Sequence, residues 1–143
     1  MKKKYLIVIA DYYKNISKSL LTSAKDILPK KSSIKIIRVP GVFEIPITIS
    51  KNIKKYDAFL ALGCVIKGQT PHFDFISKAS TDAIMKFSVE NKKPIGNGII
   101  TCLNMKQAIA RKKKGREAAL AVISVLPQSE WKLHIIPIKV LEL

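Results

Sequence analysis

Apolar residues fall along this chain in two alternating kinds of run, short continuous stretches and longer ones with helical spacing. Tyr5 to Ala10 is almost unbroken apolar sequence, the pattern of a strand covered on both faces in a parallel sheet. From Asn15, which suits an N-cap, Ile16, Leu20, Ala24 and Ile27 recur on one helical face, with Leu21 and Leu28 beside them, until Pro29 ends the run. Ile34 to Val39 predicts a second strand, closed by the turn pair Pro40-Gly41. The next stretch carries two periods at once. Phe43, Ile45, Ile47 and Ile49 alternate as a strand would, whereas Ile45, Ile49 and Ile53 share a helical face. Pro46 is badly placed inside a strand and well placed in a first helical turn, and a helix here gives the next strand a right-handed crossover. Helix is therefore the reading adopted.

Asp57 to Ile66 predicts a third buried strand, and Thr70 with Pro71 after it predicts a helix capped by the threonine with the proline at its first position. Phe73, Ile76, Ala83, Ile84 and Phe87 supply the apolar face of that helix. Ile95 to Leu103 is a fourth strand, interrupted by Gly96 and Gly98. Asn104 and Gln107 resemble a capping box for a helix through Ala108 and Ile109, and after Gly115 a last helix carries Ala119, Val122, Ile123 and Leu126 on one side. Strands alternating with helices define an α/β sandwich around a parallel sheet. There is no internal repeat and no linker, so the 143 residues make a single domain; the tail 127–143, with an extended apolar run from Trp131 to Leu141, is left unassigned.

A composition 48% hydrophobic and 25% charged excludes a disordered chain. No stretch approaches the roughly 20 apolar residues that cross a bilayer, which sets a membrane partner aside. The basic start Met1-Lys2-Lys3-Lys4 is followed by too short an apolar run for a signal peptide, which gives a cytoplasmic expectation. Cys64 and Cys102 match no metal-ligand spacing, and in a reducing compartment both are expected as small apolar core residues. The formal charge of +16 fits a nucleic-acid binder, an enzyme for anionic substrates, or a lysine-biased surface, and does not choose among them.

In an open parallel α/β sheet, ligands bind beyond the carboxyl ends of the strands. The loops that meet that condition are Asp11-Tyr12-Tyr13, Pro40 to Glu44, Lys67 to His72, and the segment from Thr101, and the residues of chemical interest gather there. Gly68 followed by a helix opening at Thr70-Pro71 offers free N–H groups to a phosphate or similar anion. His72, in the first turn, is as well suited to capping a surface turn as to moving protons beside that anion. Tyr12 and Phe43 suit the walls of a planar ligand site, although packing is the commoner use of either, and Glu44 suits a first-turn acid as well as a ligand contact. The basic cluster of Arg111, Lys112, Lys113, Lys114 and Arg116 is of a kind usually just solvated, and His134 lies in the unassigned tail.

Five segments in this order resemble the lumazine synthase family: Val39 to Pro46 (VPGVFEIP), Ala61 to Asp74 (ALGCVIKGQTPHFD), Pro94 to Thr101 (PIGNGIIT), Gln107 to Arg111 (QAIAR) and Lys114 to Ala119 (KGREAA). The resemblance runs from about Tyr5 to Leu126. It implies a flavodoxin-like three-layer α/β/α sandwich with a four-stranded parallel sheet, assembled as a homopentamer with active sites between subunits; some members pack twelve pentamers into a shell. It also implies a reaction that joins 5-amino-6-(D-ribitylamino)uracil to 3,4-dihydroxy-2-butanone 4-phosphate, giving 6,7-dimethyl-8-ribityllumazine, phosphate and water in riboflavin synthesis, with no metal or organic cofactor.

By the same resemblance, Tyr12 stacks on the pyrimidine, Val42, Phe43 and Glu44 hold the ring and its ribityl chain, and Cys64, Val65 and Ile66 line the ring pocket. Gln69 and Thr70 contact the phosphate and His72 transfers protons. Asn97 and Arg111 come from the neighbouring subunit, to the uracil site and the phosphate respectively, with Lys114 nearby. Tyr13 stands where many members have Asn, Asn97 where many have Phe, and Gln69 where Glu is frequent. The stretch between Arg111 and Lys114 is shorter than usual, which makes Lys113 an alternative to Lys114. Two rivals remain from other classes. A flavin or nucleotide carrier needs a phosphate loop after the first strand, and Asp11-Tyr12-Tyr13-Lys14 has neither glycine nor a Ser/Thr cluster. A nucleic-acid module needs stacking aromatics on a charged face, and these aromatics lie mostly in apolar runs.

Overall fold

The computed structural model describes residues 2–126; the tail and its expected extended run lie outside the described residues. Strands β1 (Lys4–Ala10), β2 (Ser33–Val39), β3 (Ala58–Ile66) and β4 (Ile95–Cys102) form one parallel sheet in the order β2-β1-β3-β4. Between and after them come α1 (Lys14–Lys25), a 3-10 turn (Val42–Glu44) running into α2 (Ile45–Asn52), α3 (His72–Asn91), α4 (Met105–Arg111) and α5 (Gly115–Val125). The expected α/β/α sandwich is the observed fold.

Side-chain alternation along the strands divides the core in two. Tyr5, Ile7 and Ile9 of β1 and Leu60 and Leu62 of β3 join Ile16, Leu20 and Ala24 of α1 and Ala118, Ala119 and Val122 of α5. Leu6 and Val8 of β1 and Phe59 and Ala61 of β3 point the other way, onto Ile45 and Ile49 of α2 and Ile76 and Ile84 of α3. Each fully buried Leu or Ile contributes about 1.5–3 kcal/mol by leaving water, so these two layers carry most of the stability. The doubly periodic segment is helical: Ile45 and Ile49 are buried and Ile47 is exposed, as a helix and not a strand requires.

Gly96 explains how α5 approaches β4. A Cβ there would press on the Ala118 carbonyl and lie 2.7 Å from Leu60 Cδ2 and 2.8 Å from Val122 Cγ2. Only a residue without a side chain fits.

Three helix starts were read from caps. Asn104 caps α4, its Oδ1 accepting from Gln107 N at 2.9 Å, and Gln107 Oε1 reaches back to accept from Leu103 N at 2.8 Å, one residue before the cap position that a full box engages. At α3, Pro71 is the cap residue and Thr70 lies one position further out, its Oγ1 accepting from His72 N at 3.4 Å. Asn15 does not cap α1; the helix begins before it, at Lys14, with Tyr13 as a cap residue that makes no side-chain bond.

Candidate functional site

The order in which successive strands are added reverses at β1, with β2 on one side of it and β3 on the other. The carboxyl ends of these strands leave a crevice there, as the topology of open parallel sheets requires. A cleft of about 670 Å³ opens at that point, lined by Tyr12 and Tyr13 after β1, Gly41 to Glu44 after β2, Cys64 to Ile66 at the end of β3, and His72 and Ile76 on α3.

Its walls are aromatic and its floor is aliphatic. Tyr12 is 74% exposed and Phe43 65% exposed, and both line the same cleft. The Tyr12 ring meets Tyr13 edge-on, with centroids 4.8 Å apart and planes at 77°. Val42 and Cys64 are buried beneath. Burial, and then the adjacent Cys102 thiol, push the Cys64 thiol up to about 12. Cys64 is thus a neutral, apolar wall residue at physiological pH and not a nucleophile. Burial raises the Tyr13 hydroxyl above its ordinary range too, helped by Tyr12 and Cys64 beside it. Both cysteines are free and buried, as expected.

The loop after β3 is anchored where Lys67 N donates to Cys102 O at 2.8 Å. Beyond that anchor Gly68, Gln69 and Thr70 are exposed, and their backbone N–H groups donate to no protein acceptor among the described residues. Free N–H groups ahead of a 20-residue helix make a surface suited to an anion, with His72 at its edge on the cleft.

Asn97, Arg111 and Lys114 are not in this cleft. They line a second one, of about 630 Å³, along the open edge of β4. Asn97 Oδ1 accepts from Ile99 N at 3.1 Å and so occupies an outward backbone group of the edge strand. Arg111 Nη1 donates to Thr101 O at 3.3 Å, and Lys114 Nζ pairs with Glu117 Oε2 at 3.1 Å. Lys113 faces a different groove, with Lys18 and Arg116 between α1 and α5, so Lys114 and not Lys113 accompanies Arg111.

One chain therefore assembles Tyr12, Val42, Phe43, Glu44, Cys64, Val65, Ile66 and His72, places Gln69 and Thr70 on the adjoining loop, and carries Asn97, Arg111 and Lys114 on another face. Tyr13, Gly41 and Ile76 also line the cleft and were not singled out from sequence as site residues. Ile76 had a usable signal, lying one helical turn past His72 on α3. Among the described residues no group of three His, Cys, Asp or Glu is placed to hold a metal ion.

Comparison with known proteins decides the relationship. The family model for 6,7-dimethyl-8-ribityllumazine synthase matches residues 2–129. The chain belongs to the 6,7-dimethyl-8-ribityllumazine synthase family. A 6,7-dimethyl-8-ribityllumazine synthase of Bartonella bacilliformis is 44% identical over 133 residues, covering 84% of this chain and 88% of its own. That of Buchnera aphidicola is 42% identical over 137 residues, covering 87% of this chain and 86% of its own. That of Corynebacterium kroppenstedtii is 38% identical over 125 residues, with 82% and 79% covered. Membership in this enzyme family spans both clefts and every element of the sheet, since the matched segment begins before β1 and ends after α5.

Proposed function

We propose that this chain condenses 5-amino-6-(D-ribitylamino)uracil with 3,4-dihydroxy-2-butanone 4-phosphate to give 6,7-dimethyl-8-ribityllumazine, in a cytoplasmic homopentamer whose sites lie between adjacent copies. The observation that carries this reading is a cleft with exposed aromatic walls beside a loop of unpartnered N–H groups. A flat heterocycle fits the first and a phosphoester the second. Tyr12 and Phe43 enclose the pyrimidine, Val42 and Glu44 hold its ribityl chain, and Cys64, Val65 and Ile66 form the floor. Gln69 and Thr70 bind the phosphate through their backbone. Asn97, Arg111 and Lys114 serve the cleft of the next copy, because their own chain holds them along the open β4 edge instead.

In the reaction the uracil amine attacks the butanone carbonyl, a first water leaves as the imine forms, phosphate is eliminated, and the ring closes with loss of a second water. Holding two substrates in register is worth about 7–11 kcal/mol. His72 relays protons during imine formation and elimination, a contribution of about 10²–10⁴-fold. The loop N–H groups, with Arg111 from the neighbour, stabilise the charge of the departing phosphate. The test is to mix purified protein with both substrates and follow the fluorescent lumazine, with sedimentation to measure assembly. Turnover by a pentamer or larger assembly is expected; absence of product from folded protein would end the proposal.

A further inference from the structure

Tyr12 sits on the short loop between β1 and α1. It is the most exposed of the large apolar side chains, its ring contact is the edge of Tyr13, and α1 begins just after it without a side-chain cap. A ring this exposed needs its backbone fixed if it is to present one face reproducibly.

Asp11, the residue before it, is held from three directions. Its N–H donates to Val39 O at 3.0 Å, which extends the β1–β2 pairing past the end of the strand. Arg38 Nη1, on β2, donates to its Oδ1 and Oδ2 at 3.1 and 3.0 Å. Ser17, on α1 and only 2% exposed, holds its hydroxyl 3.2 Å from Asp11 Oδ1 and equally 3.2 Å from the Tyr13 and Lys14 carbonyl oxygens, so its one proton is shared among the three, while Ser17 N donates to Tyr13 O at 2.9 Å. The carboxylate thus ties β2, the end of β1 and the first turn of α1 together, through the Arg38 guanidinium and the Ser17 hydroxyl. It also places negative charge at the N-terminal end of α1, the favourable end for it.

We propose that Asp11, with Arg38 and Ser17, is a positioning device that fixes Tyr12 for binding the uracil amine, a role resting on the function proposed above. Arg38 and Asp11 touch no substrate site: they border a separate groove with Lys14 and Lys18. The pair is partly exposed, 56% for the Arg38 side chain and 27% for Asp11, so it is worth a few-fold and not orders of magnitude.

The test compares Arg38→Met, which keeps the alkyl stem, with Arg38→Lys, which keeps the charge. Steady-state kinetics in both substrates are combined with amide exchange at Asp11 and Ser17 in the substrate-free protein. Arg38→Met is expected to raise KM for the uracil amine about three- to five-fold, leave kcat and KM for the butanone phosphate within about two-fold, and speed exchange at both amides. Arg38→Lys should recover most of that loss. Two KM values that rise together, or neither rising, would make the ion pair ordinary surface chemistry and overturn the proposal, as would Arg38→Lys behaving like Arg38→Met. If the unmodified protein makes no lumazine, the functional reading fails on its own. Amide exchange then decides the clamp, and exchange unchanged in Arg38→Met refutes it.

Discussion

Gly115→Ala sets two physical effects of opposite sign against each other. Gly115 is the first residue of α5, and alanine there gains about 1 kcal/mol of helix propensity. Against that, an added Cβ would press on the Leu20 carbonyl oxygen of α1, 2.9 Å from the Leu20 carbonyl carbon and 2.8 Å from Ser23 Oγ. The obstacle is backbone, so no rotamer change relieves it, and the same Leu20 oxygen accepts the Ser23 hydroxyl at 3.0 Å. Overpacking a tight contact costs about 1–3 kcal/mol, and a contact against backbone belongs at the upper end or beyond. The net expectation is a loss of about 2 kcal/mol, or roughly 4–10 °C in melting temperature for a domain of this size. Thermal and urea melts of both proteins at equal concentration measure it. Because α5 follows directly on Lys114, α1 and α5 moving apart also shifts the β4-edge cleft, and use of the phosphorylated substrate should fall with stability. A melting temperature unchanged or raised would refute the reasoning, since propensity would then outweigh the contact.

Arg111→Ala is expected to raise KM for the butanone phosphate far more than for the uracil amine; equal losses in both would contradict the phosphate role. His72→Ala should slow turnover by about 10²–10⁴-fold and leave it measurable, because substrate orientation survives; complete loss with both substrates still bound would show that the imidazole does more than relay protons. Cys64 should resist iodoacetamide at neutral pH, since its thiol is pushed up to about 12. The sign for stability follows from the same shift. The unfolded thiol ionises near its ordinary 9.0 and the folded one near 12, so this contribution is complete below about pH 9 and is lost as pH rises toward 12. Mass spectrometry of alkylated protein and melts over that alkaline window check the two halves, and rapid labelling at pH 7.5 would sink both.

The sheet was legible because strands buried on both faces leave unbroken apolar runs, and Tyr5 to Ala10 and Ala58 to Cys64 are such runs. The segment after Pro40 was legible for a different reason. Pro46 cannot serve an interior strand, and this settled a periodicity that alone fitted either structure. Local chemistry failed at α1. Asn15 is a good cap in isolation, but the helix begins at Lys14 without a side-chain cap, and Asp11 ahead of it is held by Arg38, 27 residues away, in a pairing that depends on β1 and β2 lying side by side. No window of sequence contains that contact. The cleft was read from loops that share one end of the sheet, which is topology. The place of Tyr13 in the cleft wall is not legible in the sequence, because nothing in its neighbourhood says which way a loop tyrosine turns.

Charge illustrates the same division between what sequence and geometry can decide. A formal +16 could mean that cations recognise the substrate, yet the cleft between Tyr12 and His72 contains no lysine or arginine among the residues that line it. The cations stand elsewhere: Lys67 at the root of the open N–H loop, and Arg111 and Lys114 in the second cleft along the β4 edge. A planar heterocycle gains from aromatic faces and a dry floor, where a buried lysine would cost more in desolvation than it returned. A phosphoester gains from donors that remain solvated until it arrives. The two substrates of the proposed reaction therefore require opposite surroundings. One chain supplies the aromatic crevice and the donor loop, and it carries the arginine along the β4 edge, apart from both.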